Sequence, residues 1–406
     1  MIKKINRKRC SFLNNILVVN AGSSSLKWQL FQQSDLTLLA SGLMERMNTP
    51  EASFTFKYQG QKKQITIANL SYEDGVLRLL KQLEDNGIIN SPADIIAVGH
   101  RVVAGATTFE KPTIIDHTNL DTLKQLDKYA PLHNPVQVDC IETLMRILPT
   151  SVPQVAVFDS QFYLDMPDAT SFYGLPYAYS RDYQIRKYGE HGISHSYILQ
   201  ATAAFLNQPV TDLKLITLHL GGGSSITASQ NGKPVDTSMG FTPLEGVPMG
   251  TRAGSLDAAI VPFLMNELDK SADEVITLLN TQSGILGVSG ISADMRDIQA
   301  ARHTNPRAKL AYDIFITAAV KFIASYHVEL DGANVITFTA GIGENDARLR
   351  ADICAKLAVL GVQIDPELNE NGTGARQIST PNSAIKVLMI PTNEELAIAN
   401  QVLATI

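Results

Sequence analysis

Cysteine is scarce in this 406-residue chain: Cys10, Cys140 and Cys354 are odd in number and far apart. Such a set builds neither a disulfide framework nor a zinc site, and it fits a reducing compartment. A charge excess is missing too. Lys plus Arg total 34 against 40 Asp plus Glu, a formal net charge of −6, which offers no global attraction to nucleic acid or anionic lipid. No stretch approaches the ~18 uninterrupted apolar residues of a membrane span. The run "ILVVNAG" behind the basic N-terminus "MIKKINRKRCSF" is too short for the apolar region of a signal peptide. Residues 1–13 therefore read as a solvated basic tail on a cytoplasmic protein, with no nucleic-acid or membrane partner. Neither GxxxxGK[ST] nor GxGxxG occurs, which weakens ordinary P-loop and Rossmann readings.

What is present is a globular composition, 45% hydrophobic and 18% charged, on a chain longer than the roughly 250–300 residues at which single cores stop growing. Four apolar runs of strand length end in unusual polar groups: "ILVVNAGSSS", "IIAVGHR", "QVAVFDS" and "LITLHLGGGSS". A fifth, "VITFTAGIGEN", comes late. Helical patterns such as "DTLKQLDKYA", "VDCIETLMRIL" and "KLAYDIFITAAVKFIASY" lie between them. Alternating strands and helices argue for α/β architecture, with a ligand site beyond the carboxyl ends of the strands, where Asn20, Arg101, Asp159 and two Gly-rich turns fall.

The chain also echoes itself. A shift of 200 residues lays "ILVVNAGSSSLK" over "ITLHLGGGSSIT", matching Ile16 to Ile216, Gly22 to Gly222, Ser24 to Ser224 and Ser25 to Ser225. Small-residue hairpins are common, yet the match suggests two copies of one domain, each presenting a turn of phosphate size. Gly-Ser turns bring backbone N–H groups and hydroxyls to an anion, and Lys27 sets a charge near the β- or γ-phosphate. "AGIGEN" (340–345) offers a similar turn opening a helix. "HGISH" (191–195) has the spacing of a zinc helix but lacks the glutamate of HExxH and contains Gly192. A hydrogen-bonding His191 and a structural His195 rank above zinc. Arg101 and Arg252 sit among small or apolar neighbours, which suits bidentate binding of carboxylate or phosphoryl oxygens and also ordinary ion pairs. "PTNEEL" (391–396) supplies acidic oxygens suited to Mg²⁺ and equally to a helix N-terminal turn.

Taken in order, "NAGSSSLK", "GHRVV", "APLHNP", "AVFDSQF", "HGISH", "HLGGG", "VDTSMGFTPLEGVPMGTRAG", "ISADMRD", "FTAGIGEN" and "IPTNEE" resemble the acetate kinase family, which includes propionate and butyrate kinases. They span residues 16–396, and the long "DTSMGFTPLEGVPMGTRAG" is the most specific.

The resemblance implies a duplicated actin-like ATPase (ribonuclease H-like) fold with a nucleotide cleft between two related domains, and a homodimer. The domains expected are 14–158, completed by 392–406, and 159–391, after the tail at 1–13. It implies reversible, ATP-dependent phosphorylation of a short carboxylate, acetate first, to its acyl phosphate. Matching positions make Asp159, Arg101, His191 and Arg252 catalytic, and make Asn20 and Glu394 ligands of Mg²⁺ or Mn²⁺. Lys27 with Ser23, Ser24 and Ser25 would hold phosphates. ATP or ADP would also touch His219, Leu220, Gly221, Gly222 and Gly223, then Asp294, Met295 and Arg296, then Gly341, Ile342, Gly343, Glu344 and Asn345. Arg101, Val103, Leu132, His133, Glu190 and Pro243 would line the acyl pocket.

Because an alkanoic acid of pKa ~4–5 is ionised at pH 7, Asp159 is expected to orient Arg101 or a metal-bound water rather than act as a base. The chain departs from the family pattern at Ile193 (usually Thr), Gly222 (Asn), Ala104 (His) and Ala106 (Gly). It also departs at Ser160, Gln161 and Tyr163 (Thr, Ala, His) and at Glu190, where phenylalanine lines the family's pocket. The alternatives are a propionate or other substituted-carboxylate kinase, a sugar-type kinase of the same fold, and a largely inactive nucleotide-binding sensor or scaffold.

Overall fold

A computed structural model describes residues 14–22, 24–131 and 133–406. The tail at 1–13, Ser23 (expected at the phosphates) and Leu132 (expected in the acyl pocket) lie outside the described residues. The chain forms two compact units. One comprises the chain through Val103, Lys111–Phe158 and Glu395–Ile406; the other comprises Ala104–Glu110 and Asp159–Glu394.

The first unit is built on strands β1 (Asn15–Gly22), β2 (Ser25–Gln32), β3 (Leu38–Glu45), β4 (Ser53–Tyr58), β5 (Gln61–Thr66), β6 (Ile95–Val102), β7 (Thr113–Ile115) and β8 (Gln154–Phe158). Their order is β5-β4-β3-β2-β1-β6-β8-β7. β1 through β5 pair antiparallel in sequence, whereas β1, β6 and β8 run parallel. Continuous burial of Ile16, Leu17, Val18 and Val19 marks β1 as a central strand covered on both faces. β5, "QKKQIT", is exposed throughout, and its lysines blunt the sheet edge. Trp28 and Phe56 pack with ring centroids 5.4 Å apart. The C-terminal helix Glu394–Thr405 seats Ile398 and Val402 against Gly99, where a Cβ would stand 2.7 Å from both side chains.

The second unit repeats the plan with β9 (Lys214–Leu220), β10 (Ser224–Gln230), β11 (Lys233–Thr237), β12 (Val335–Thr339), β13 (Arg376–Gln377) and β14 (Lys386–Met389), in the order β11-β10-β9-β12-β14-β13. β9–β10–β11 are antiparallel, and β9, β12 and β14 are parallel. The sequence β3-β2-β1-β6-β8 of the first sheet therefore recurs as β11-β10-β9-β12-β14. Both Gly-Ser turns close the first hairpin of their unit. The long helix Pro306–Glu329 contributes Phe315, Ala319 and Ile323 to a core shared with Ile216, Leu218 and Ile336.

One helical expectation holds only in part. "DTLKQLDKYA" forms a short helix, Leu120–Lys124, followed by a 3₁₀ turn, Asp127–Tyr129. Its buried residues Leu120, Leu123, Leu126 and Tyr129 recur every third position. That spacing drifts around an α-helix and stays on one face only when the chain tightens. No helix among the described residues is long and apolar enough to cross a membrane.

Candidate active site

In the second unit, three turns that are far apart in sequence meet around a cavity of about 820 Å³. Gly221 and Gly222 come from the β9–β10 hairpin, Asp294, Met295 and Arg296 from the start of the helix Met295–Ala301, and Gly341, Ile342 and Asn345 from the helix that follows β12. Ala293, Gln299 and Asp346 also line it, and sequence reasoning missed them. Gln299 donates to Asp346 across the cavity wall. At Gly222 and Gly341 an added Cβ would meet nothing within 4 Å, so these positions leave open backbone facing the space. Arg296 grips Asp294 through Nε at 3.0 Å and Nη2 at 2.5 Å. That fork, helped by the Arg296 N–H, lowers the Asp294 carboxyl to about 2.

The remaining residues expected at the nucleotide have other environments. Leu220 is fully buried in the core. Gly343 lies against Phe338 and Leu218, with a Cβ position 3.5–3.6 Å from their backbone. Glu344 uses Oε1 to accept from the backbone N–H of Ala340 at 3.0 Å and of Thr392 at 3.1 Å. It thus ties the "AGIGEN" turn to the "IPTNEE" segment. Ala340 adopts a left-handed φ of 64°, a conformation that non-glycine residues keep only when their surroundings enforce it.

A second cluster lies beside the hairpin turn. His191 precedes the helix Gly192–Leu206 in the left-handed region, with φ of 57°. Its ring stacks on that of His219 at 4.1 Å and 13°. His191 Nδ1 lies 2.8 Å from Ser225 Oγ, and His195 Nε2 lies 2.8 Å from the same oxygen. His219 Nδ1 contacts Ser194 Oγ at 2.8 Å, and Ser194 contacts Thr392 at 2.8 Å. Burial, reinforced by His219, holds the His195 imidazole well below its ordinary pKa. Both histidines of "HGISH" thus meet the Ser225 hydroxyl.

Arg252 converges on the same place. A Cβ built on Gly223 would sit 3.2 Å from His191 Nε2 and 3.9 Å from Arg252 Nη1. Arg252 Nη1 also donates to the Pro243 carbonyl at 3.3 Å. Its backbone is held by Gly284, whose φ is +58° and whose added Cβ would strike the backbone of Met249 and Arg252. Glycine is required there, and the sequence pattern carried no sign of it. Asp159 is fully buried, and its Oδ1 accepts from the Ile193 N–H at 3.3 Å, so the carboxylate sits at the N-terminus of the helix that His191 opens. Glu190 is only 4% exposed. Lys187, three positions earlier in the chain, is committed to Asp236 at 2.8 Å, and Arg186 directs Nη2 toward the Tyr163 carbonyl at 3.4 Å. Tyr163 in turn donates to the Glu190 carbonyl at 2.9 Å.

The first unit holds the other expected residues. Asn20 and Arg101 lie near the ends of parallel strands β1 and β6. Val103 is buried and donates its N–H to Gln137 at 3.0 Å, and His133 precedes the helix Asn134–Ile147. Ser24 and Ser25 belong to the β1–β2 hairpin turn, clamped by the Tyr72 hydroxyl, which donates to the Gly22 carbonyl and lies 3.3 Å from that of Ser25. Lys27 pairs across the hairpin with Asn20. Its Nζ lies 2.8 and 2.9 Å from the two carboxylate oxygens of buried Glu395.

A sheet of this order, present twice and with glycine turns at the carboxyl ends of its parallel strands, is the framework of the actin-like ATPase class. Within that class, the model of the Acetokinase family matches residues 15–400, and the chain belongs to that family. It is 45% identical over 392 residues to the acetate kinase of Lacticaseibacillus paracasei, covering 96% of this chain and 99% of the relative. Among solved structures, a propionate kinase from Francisella tularensis superposes with a TM-score of 0.90 at 40% identity, covering 97% of this chain and 100% of that one. The acetate kinase of Porphyromonas gingivalis superposes with a TM-score of 0.87 at 34% identity, covering 96% and 99%.

Proposed function

We propose that the chain is an ATP-dependent kinase that phosphorylates acetate to its acyl phosphate, reversibly and by direct in-line transfer. Membership of the Acetokinase family over residues 15–400 carries this reading. The chemistry asks for positioning and charge neutralisation rather than a base, because the acceptor is already ionised at neutral pH. ATP or ADP occupies the cavity of about 820 Å³ lined by the three turns. Arg252 and Arg101 clamp the transferring phosphoryl group and the carboxylate with their planar forks. His191, beside Arg252 at the Gly223 turn, donates a hydrogen bond to the phosphoryl oxygens. Asp159 organises the start of the His191 helix and orients the charged groups. Lys27 and the serines at 23–25 serve the phosphates, and Val103, Leu132, His133, Glu190 and Pro243 surround the acyl group.

Asn20 and Glu394 are the metal ligands in this reading. One amide oxygen and one carboxylate, with other positions left to water and phosphate, suit Mg²⁺ or Mn²⁺. When bound, such an ion neutralises phosphate charge.

Burial of Glu190 favours one second reading, in which the preferred carboxylate bears a donor group that this side chain accepts from. A cytoplasmic location is supported by the buried free thiols of Cys140 and Cys354, each pushed up to about 12 by burial. A homodimer is supported by the helix Ile260–Leu268, none of whose residues is buried and on which Phe263 is 60% exposed.

The test is hydroxamate formation from ATP, Mg²⁺ and a panel of carboxylates. Acetyl hydroxamate formed with full dependence on ATP supports the proposal. Preference for a hydroxylated or amino-substituted acid selects the second reading. ATP binding without turnover, or transfer to a sugar hydroxyl alone, overturns both.

A further inference from the structure

Ser225 sits between two imidazoles, and the protons available settle its hydrogen-bond direction. A serine hydroxyl has one proton to donate, and a neutral imidazole has one N–H and one acceptor nitrogen. His195 is 1% exposed, and its Nδ1 has no hydrogen-bond partner among the described residues. Its other nitrogen, Nε2, lies 2.8 Å from Ser225 Oγ. A buried N–H without an acceptor is rarer in folded proteins than a buried acceptor without a donor. The single His195 proton therefore belongs on Nε2, donated to Ser225. Having accepted from His195, the Ser225 hydroxyl turns its own proton to His191 Nδ1, 2.8 Å away. The His191 proton is then left on Nε2, the nitrogen that faces the Gly223 turn beside Arg252.

We propose that His195 and Ser225 form a positioning relay that holds His191 as a neutral imidazole with its proton on Nε2, aimed at the hairpin turn. This rests on the reading of His191 as a hydrogen-bond donor to the transferring phosphoryl group. The relay decides the sign of that interaction. With Ser225 reversed, Nδ1 of His191 would carry the proton and Nε2 would present a lone pair to phosphoryl oxygens, which repel it. With the relay as described, His191 offers an N–H without taking on charge. A neutral state suits a ring stacked 4.1 Å from His219 and close to the Arg252 guanidinium, since like charges at close range in a poorly solvated site repel. Ser194 and Thr392 hold the stacked His219 in place through the second chain of hydrogen bonds. The left-handed backbone at His191 is thus matched on the side-chain side by a fixed ring orientation.

The experiment is long-range ¹H–¹⁵N NMR of the full chain labelled at its eight histidines, with His191 assigned by loss of its signals in His191→Ala. The expected wild-type spectrum shows His191 and His195 both protonated on Nε2; a His191 protonated on Nδ1 overturns the relay whether or not any variant folds. Ser225→Ala is expected to give mixed His191 tautomers and to lower kcat about tenfold with KM for ATP little changed, less than the ~10²-fold that follows outright loss of such a donor. Ser225→Thr, which keeps the hydroxyl, is expected to restore the single tautomer and most of kcat. In the His191→Ala background, Ser225→Ala is expected to cost nothing further, whereas a merely structural Ser225 would cost the same factor in both backgrounds. Full activity of His191→Ala would remove the donor reading while leaving the tautomer result standing, so the two failures are distinct.

Discussion

Replacing Lys27 with methionine separates two roles for one side chain. The family resemblance assigns Lys27 to phosphate, whereas its ammonium lies 2.8 Å from a carboxylate oxygen of Glu395. Glu395 is 2% exposed at its side chain and Lys27 is 50% exposed. Coulomb's law at that distance gives about 6 kcal/mol at an effective dielectric of 20 and about 1.5 kcal/mol in water. Half-exposure of the lysine places the pair between these limits. Removing it strands a buried carboxylate, so the expected loss is about 2–3 kcal/mol, below the range for fully buried pairs and above that for surface ones. The chain has one tryptophan, Trp28, buried on the same strand, so its fluorescence reports unfolding of the unit that contains the pair. The midpoint in urea is expected to fall by about 1 M. Lys27→Met with Glu395→Gln is expected to recover part of the loss, because no buried charge is left alone. A Lys27→Met protein within about 0.5 kcal/mol of wild type, with a raised KM for ATP, refutes the ion-pair argument and leaves Lys27 as a phosphate ligand only.

Gly222→Asn is expected to be tolerated, since its Cβ meets nothing within 4 Å and the backbone is not left-handed. The added amide donor is expected to lower KM for ATP about fivefold, the equivalent of ~1 kcal/mol, and a raised KM contradicts this. Arg252→Ala is expected to reduce kcat/KM by about 10²-fold or more, with Arg252→Lys a poor rescue because an ammonium lacks the planar fork; near-normal turnover by the alanine variant removes Arg252 from the clamp. His100 is buried against Gln154 and its pKa is lowered to about 4 by burial. Below its unfolded pKa of 6.5 the unfolded state binds the extra proton, so stability is full above pH 6.5 and is lost as pH falls toward 4. The expected loss from this group is about 2 kcal/mol at pH 5, read as a urea midpoint that falls between pH 7.5 and pH 5 and falls less in His100→Gln.

Strand positions and turn chemistry were legible in the sequence because they are local. The run Ile16–Val19 is apolar without interruption, as a strand covered on both faces must be, and the small residues after it close a hairpin. The 200-residue echo of that pattern recurs at the same place in the second sheet. Helix type was less legible where the apolar spacing was three rather than 3.6, as at Leu120, Leu123, Leu126 and Tyr129. Composition and motif order were enough for an α/β chain of the acetate kinase type, and the glycine turns singled out at 221–222 and 341–342 meet at one cavity.

Tertiary structure alone decided which side chains are spent within the protein. Glu395 reaches Lys27 from 368 positions away, Glu344 anchors Thr392, and Ser225 joins two histidines that precede it by 34 and 30 residues. Gly284 makes room for the backbone of Arg252, and burial withdraws Glu190 from the surface. Sequence spacing encodes partners only within a helix turn or along a strand pair, whereas these contacts depend on where the two folded sheets bring distant segments together.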